Sequence, residues 1–302
     1  MARTTESDLA PHELRVLVAV ADTGGFSAAA GTLGLTQSAV SHSVRGSERK
    51  IGAVLFERGR TGARPTPAGE KAVAHARRIL RLLDVLTVEA RGAGRPDAAE
   101  GPLRIAAFRS AALHLLPPVL RRLRARHPGI EPQVRIVREV GRGTAGEVAD
   151  GKADIALATL GGSVPLPPGL VAGGLLEEPY ALVHARGHAA PRSLPLVDWA
   201  ENCGSYTRAW WSAQDWIPQA TVEAEDDGAV LSLVSGGHGM AIMPALSLVG
   251  APDSVEISDL GPARPTRRVG YVTTSELAGS AVVRALVREL RAATPSGTGV
   301  TR

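Results

Sequence analysis

Cysteine is almost missing from this chain. Cys203 is its one thiol in 302 residues, so no disulfide can form within it, which fits a reducing compartment. Long apolar runs are missing too: none approaches the ~20 residues that cross a bilayer. The opening stretch MARTTESDLAPHEL has no apolar segment of the kind found in signal peptides. These absences exclude a secreted disulfide framework and a membrane span. They predict a soluble, cytoplasmic protein with a loose tail over residues 1–10.

Catalytic and metal-binding patterns are equally thin. GRGTAG, Gly141 to Gly146, matches G-x-G-x-x-G after an expected strand. The helix that follows is barely two turns long, and no acid ends the next strand to hold a ribose. His184 and His188 stand four apart, but Gly187 lies between them in loop-like surroundings and no Cys or further His completes a metal site. Cys203 reads as a small buried residue. No G-x-S-x-G elbow or comparable constellation marks a nucleophile. No cofactor, metal or catalysis is expected.

What is present is a globular composition, 44% hydrophobic and 21% charged, long enough for two domains and connectors. The net charge is only +4, but it is unevenly spread. Arg45, Arg49, Lys50, Arg58, Arg60 and Arg64 fall in one stretch that holds two acids, Glu48 and Glu57. A basic excess near the N-terminus is a hint of a polyanionic partner.

Three regions differ in pattern. In the first, HELRVLVAVADTGG places Leu14, Leu17, Val18 and Ala21 on one helical face and stops at Gly24-Gly25. FSAAAGTLGL predicts a second short helix with Phe26, Ala29, Ala30 and Leu33 inward. Thr36 is a good N-cap for a third, running to about Gly52. Two short helices joined by a glycine-containing turn match a helix-turn-helix. AVLFERGRTGARPTP then reads as a strand, a glycine-rich turn and a strand, which is a wing.

The second region opens at Thr66-Pro67, an N-cap followed by proline at the first helical position. Val73, Ala76, Leu80, Leu83, Thr87 and Ala90 follow at heptad spacing along a helix of about 25 residues, on the order of 37 Å long. Breaks at both ends detach this helix from its neighbours, so the stripe is expected to form a dimer seam through Val73, Ala76, Leu80 and Leu83. RGAGRPDAAEG ends it as a linker. From Pro102 strands and helices alternate, which predicts parallel sheets. A break near residues 177–180 and a late return suggest two lobes and a cleft.

The polar segment LTQSAVSHSV lies on the third helix. Val40, Val44 and Ile51 form its inward stripe and leave Gln37, Ser38, Ser41, His42 and Arg45 outward. Short donors and acceptors with an arginine beyond them suit base edges and phosphates in a major groove. Thr36, Gln37, Ser38, Ser41, His42 and Arg45 are therefore candidate DNA contacts on the helix, and Arg58, Arg60 and Arg64 on the wing.

At this point the chain resembles the LysR-type transcriptional regulators. The likeness runs from LRVLVAVADTGGFSAAAGTLGLTQSAVSHSVRGSERKIGAVLFERGR through RPTPAGEKAVAHARRIL to LPPVLRRLRARHPGIEP, VADGKADIALAT and VSGGHGMAIMP. The resemblance implies a multidomain α+β and α/β fold. A winged helix-turn-helix (1–66) and a linker helix with hinge (67–101) would precede a two-lobed effector-binding domain like periplasmic binding proteins (102–302). Lobe I would span about 102–179 and 266–302, and lobe II about 180–265. It also implies homodimers and homotetramers on double-stranded DNA that respond to a small molecule in the cleft.

Ligands of such lobes sit beyond the carboxyl ends of strands. The loops expected there carry Arg109-Ser110, Gly141-Arg142 and Tyr206-Thr207-Arg208. The LysR-type pattern places effector contacts at these loops, with Ser or Thr after the first strand, as Ser110 is. Three arginines favour an anionic effector held by bidentate contacts. Two departures from the family pattern stand out. Ser47-Glu48, preceded by Gly46, stands where the family usually carries Leu-Glu, so the third helix lacks an apolar contact at Ser47, which would loosen it by roughly 1–2 kcal/mol. The segment from Tyr206 to Thr221 looks short and is crowded with Trp210, Trp211 and Trp216. A ligand-binding transport component would account only for the last two hundred residues, and an enzyme on the same lobes has no catalytic constellation behind it.

Overall fold

Pro11 begins α1 (Pro11–Thr23) at its first position, and the Glu13 carboxylate accepts the Ala10 N–H at 2.9 Å. This is one residue-level reason the first helix starts where it does. The computed structural model describes residues 8–59, 62–91, 99–161, 166–202 and 205–294, with the side chains of 202, 205, 206 and 208 outside that description. The chain divides into two compact units, residues 1–94 with 149–152 and residues 95–148 with 153–302.

In the N-terminal unit α1 is followed by α2 (Phe26–Leu33), α3 (Gln37–Ile51), a hairpin of β1 (Phe56–Gly59) and β2 (Gly62–Pro65), and α4 (Pro67–Arg91). Thr36 caps α3 by accepting the Ala39 N–H at 3.2 Å. Leu17, Val20, Ala29, Val40, Val44, Leu55, Phe56 and Val73 form one core. The wing is pinned at both ends. Ala63 N–H donates to the Gly24 carbonyl at 2.8 Å, and a Cβ on Gly62 would lie 2.2 Å from that oxygen, so glycine is required there. At the other end the Glu48 carboxylate accepts the Leu55 N–H at 2.8 Å.

Three expectations for this unit change. Ile51 is exposed, and the inward positions of α3 are Val40, Ser41, Val44 and Ser47. Ser47 is fully buried, but its hydroxyl donates to the Ser43 carbonyl at 3.1 Å, so the polar group is satisfied within its own helix. On α4, Val73 (2% exposed) and Ala76 (1%) are covered inside the single unit, where α4 packs on α1. They are therefore not open to a partner helix. The uncovered apolar side chains are Ile79 (46%), Leu82 (37%) and Leu86 (63%), with Leu80 and Leu83 half-buried.

The C-terminal unit comprises β3 (Gly101–Ala107), α5 (Leu116–Arg126), β4 (Ile130–Ile136), α6 (Gly143–Ala149), β5 (Ile155–Leu160), β6 (Leu170–Ala185), β7 (Leu196–Trp199), α7 (Ser205–Ser212), β8 (Ala220–Ala224), α8 (Asp227–Ser235), β9 (Ala241–Pro244), β10 (Val255–Asp259), β11 (Thr266–Thr274) and α9 (Ala281–Ala293). The main sheet runs β10-β6-β11-β5-β3-β4, with β9 also on β6, and β7 pairs with β8 separately. The expected parallel order holds for β3 with β4 and β5 and for β7 with β8. It fails at the centre, where β11 is antiparallel to β5 and β6, and β6 is antiparallel to β9 and β10. The long β6 pairs with β11 up to Pro179 and with β9 from Tyr180 onward, so one strand serves both lobes. In lobe I the buried Asp154 carboxylate holds Arg104 at 2.7 Å and the Arg104 N–H at 2.9 Å. In lobe II Trp210, Trp211 and Trp216 pack around Tyr180, Leu182, Leu196, Met240 and Ile242.

Candidate nucleic-acid interface and effector cleft

On α3, Gln37, Ser38, His42 and Arg45 are exposed on the side away from the core, and Arg64 is exposed on β2. His42 and Arg45 border a surface hollow of about 630 Å³ with Glu48, Arg49 and the turn Gly52–Val54. Thr36 spends its hydroxyl oxygen on the cap and also lies 3.0 Å from the Ser38 hydroxyl. Ser41 differs from the outward set because it is buried and accepts a hydrogen bond from Arg58 Nη2 at 2.9 Å. The Arg58 guanidinium also stacks over the Phe26 ring, 4.5 Å from its centre. Arg58 thus ties the wing to α2 and α3 as well as carrying charge. Arg60 lies outside the described residues.

In the C-terminal unit, the loop after β3 brings Arg109 and Ser110 toward lobe II. Arg109 Nη1 donates to Asp227 at 2.6 Å, and its Nε lies 3.7 Å from Asp226. Ser110 is buried, with Arg267 Nη2 3.4 Å from its hydroxyl. Gly141 and Arg142 are exposed in the loop before α6. Thr207 is buried, and the side chains of Tyr206 and Arg208 lie outside the described residues. Of the three arginines behind the expected anionic effector, Arg109 already has its charge met by Asp227.

The sequence reading missed most of the charged groups around this loop. Arg138, after β4, lies 3.6 Å from Glu201 of lobe II. Glu139 accepts the N–H groups of Thr144 and Thr159, each at 2.9 Å. Burial pushes the Glu201 carboxyl up, and the nearby Asp227 and Glu139 push the same way, against a backbone bond from Glu139 and the charge of Arg138. Burial lowers the His114 imidazole, with Arg109 adding to the shift and Asp227 opposing it. Deeper, Arg267 on β11 pairs with Glu178 on β6 at 2.6 Å and stacks over Phe108. Asp226 caps α8 by accepting the Ala229 N–H at 2.9 Å. Only the fold shows that the next aspartate, Asp227, faces an arginine of the other lobe.

A winged helix-turn-helix joined through a long helix to a two-lobed α/β sensor defines a class of one-component regulators. Residues 11–70 match the family described as bacterial regulatory helix-turn-helix protein, lysR family, and residues 96–295 match the LysR substrate binding domain. The chain is 35% identical over 260 residues to the probable HTH-type transcriptional regulator LrrA of Synechococcus elongatus, covering 82% of this chain and 85% of that one. Its fold is similar to full-length OxyR from Pseudomonas aeruginosa, with TM-score 0.73, 20% identity and coverage of 97% and 99% of the two chains. It is also similar to the LysR family regulator CbnR solved with its target DNA, with TM-score 0.63, 21% identity and coverage of 94% and 100%. The chain belongs to the LysR family: it is a DNA-binding transcriptional regulator with an effector-binding domain, and its relatives are regulators, not enzymes. Among the described residues no helix is long and apolar enough to cross a membrane.

Proposed function

We propose that the chain is a cytoplasmic, sequence-specific regulator in which residues 1–66 read DNA, 67–101 join the copies, and 102–302 sense a small molecule held between the lobes. The observation that carries the DNA reading is the exposed row of Gln37, Ser38, His42 and Arg45 on α3 beside Arg64 of the wing. A polar row on a capped helix can enter a major groove, and flanking cations hold phosphates. The uncovered Ile79, Leu82 and Leu86 on α4 support a dimer, and the exposed Val134 and Ile136 on the edge strand β4 support a second contact within a tetramer. With the Arg109 charge met by Asp227, the arginines no longer single out an anion. The sensing loops remain Ser110, Gly141-Arg142 and Thr207 with its neighbours.

The test is retention of the purified chain on DNA from upstream of its own gene, measured across a salt series. A regulator is retained and released as salt rises, whereas a solute-binding transport component passes through. Gln37→Ala and His42→Ala should each change preference among sequences by about 1–3 kcal/mol per lost base contact. Arg64→Ala should weaken all sequences alike and flatten the salt slope. Retention that ignores both salt and sequence would overturn the reading.

A further inference from the structure

Asp227 stands in the first turn of α8 with its side chain 7% exposed, and its ion pair comes from the other lobe, from Arg109 at 2.6 Å. A carboxylate buried this far and stripped of its cation is costly, so Asp227 needs a positive partner whenever the lobes part. The seat for that partner is shaped. A Cβ on Gly228 would lie 2.4 Å from Arg109 Nη2 and 2.7 Å from its Cζ, so the guanidinium rests against bare backbone. A helix N-terminus by itself repels a cation. Here Asp227 and the second oxygen of Asp226, 3.7 Å from Arg109 Nε, reverse that preference. Around them Glu201 and Glu139 add carboxylates, Arg138 and Arg267 add cations, and burial holds His114 toward its neutral form.

We propose that this seat on Asp227 receives a cationic group, a guanidinium or an alkylammonium, of the small molecule the domain senses, and that Arg109 competes for the same place. The inference rests on the effector-sensing reading of the C-terminal domain and names the chemical class of its ligand. Arg109 precedes Ser110, which is 3.4 Å from Arg267 Nη2, and Arg267 is ion-paired to Glu178 across β11 and β6. An arginine displaced from Asp227 therefore moves a loop that touches the strands shared by both lobes.

The experiment removes the internal competitor and offers a substitute. Full-length Arg109→Gly is melted in the presence of ethylguanidinium chloride, with sodium propionate as the anionic control. Arg109→Gln serves where the glycine variant does not fold. Ethylguanidinium at millimolar concentration should raise Tm along a saturating curve, propionate should not, and adding Asp227→Asn should abolish the rise. Adding Gly228→Ala, which keeps both carboxylates but fills the seat, should weaken the half-saturating concentration at least tenfold. No saturable rise, an equal rise with propionate, or a rise that survives Asp227→Asn would each overturn the proposal. DNA retention of the unaltered chain is scored separately. Its loss would overturn the regulator reading alone, and a missing rise with retention intact would overturn this one alone.

Discussion

Glu289 on α9 is 1% exposed, and its carboxylate accepts bonds from two arginines of α5, Arg122 at 3.0 Å and Arg126 at 2.6 Å. Burial pushes this carboxyl up, but the bonds from Arg126 and Arg122 outweigh it and the net shift is downward. A folded-state pKa below the unfolded value means the contribution is present above the unfolded pKa of about 4.3 and is lost as pH falls through the folded one. Both arginines are partly exposed, at 36% and 60%, so solvent screening holds the value of the cluster to about 1 kcal/mol. Glu289→Gln should lower Tm near pH 7 by about 2–4 °C and flatten its decline in acid. Melting curves from pH 7 to pH 3 check this, and an unchanged acid slope would sink it. At the same scale, the sequence marked Ser47 as a lost apolar contact. The hydroxyl has found the Ser43 carbonyl, a local bond that a helix supplies at i−4.

At the scale of the element, α4 carries two apolar faces where the spacing alone suggests one. Val73 is spent on the N-terminal core and Ala76 is buried as well, while Ile79, Leu82 and Leu86 stay uncovered toward its C-terminal half. Leu86→Asp should leave the N-terminal unit folded and weaken the proposed dimer about tenfold or more, at 1.4 kcal/mol per decade. Val73→Asp should instead unfold that unit, because it buries a charge without a partner. Sedimentation velocity paired with thermal melting separates the two outcomes. An intact dimer in Leu86→Asp at micromolar concentration would reject this seam. Heptad spacing was legible in the sequence. Which turns of the helix meet their own domain was not, because the same 3-4 pattern serves an internal core and a partner equally well.

Across the whole molecule, β6 and β11 are the strands on which the two lobes depend, and Glu178–Arg267 is the buried pair that joins them. Glu178 also accepts the Leu246 N–H of lobe II at 2.5 Å. Burial acts against the Arg267 charge, and Glu178 more than restores it. Glu178→Gln leaves that guanidinium without its counter-ion and should cost about 3–5 kcal/mol, a Tm loss on the order of 10 °C. Replacing both residues by methionine should recover much of the loss, since an apolar pair leaves no uncompensated charge. Thermal denaturation of the single and double variants tests this. A double variant as unstable as the single one would place the cost elsewhere.

The sequence by itself determined what local chemistry decides. The Gly24 and Gly34 breaks, the Thr36 cap, the glycine-bearing wing and the alternation of strands and helices each depend on residues a few positions apart. Their order along the chain was enough to assign the family. The tertiary structure decided what depends on residues far apart. It turned Ser41 inward under Arg58, brought β11 back antiparallel between β5 and β6, and set Arg109 against Asp227, 118 positions away. Local spacing determines which face of an element is apolar or charged. It carries no information on which distant group meets that face.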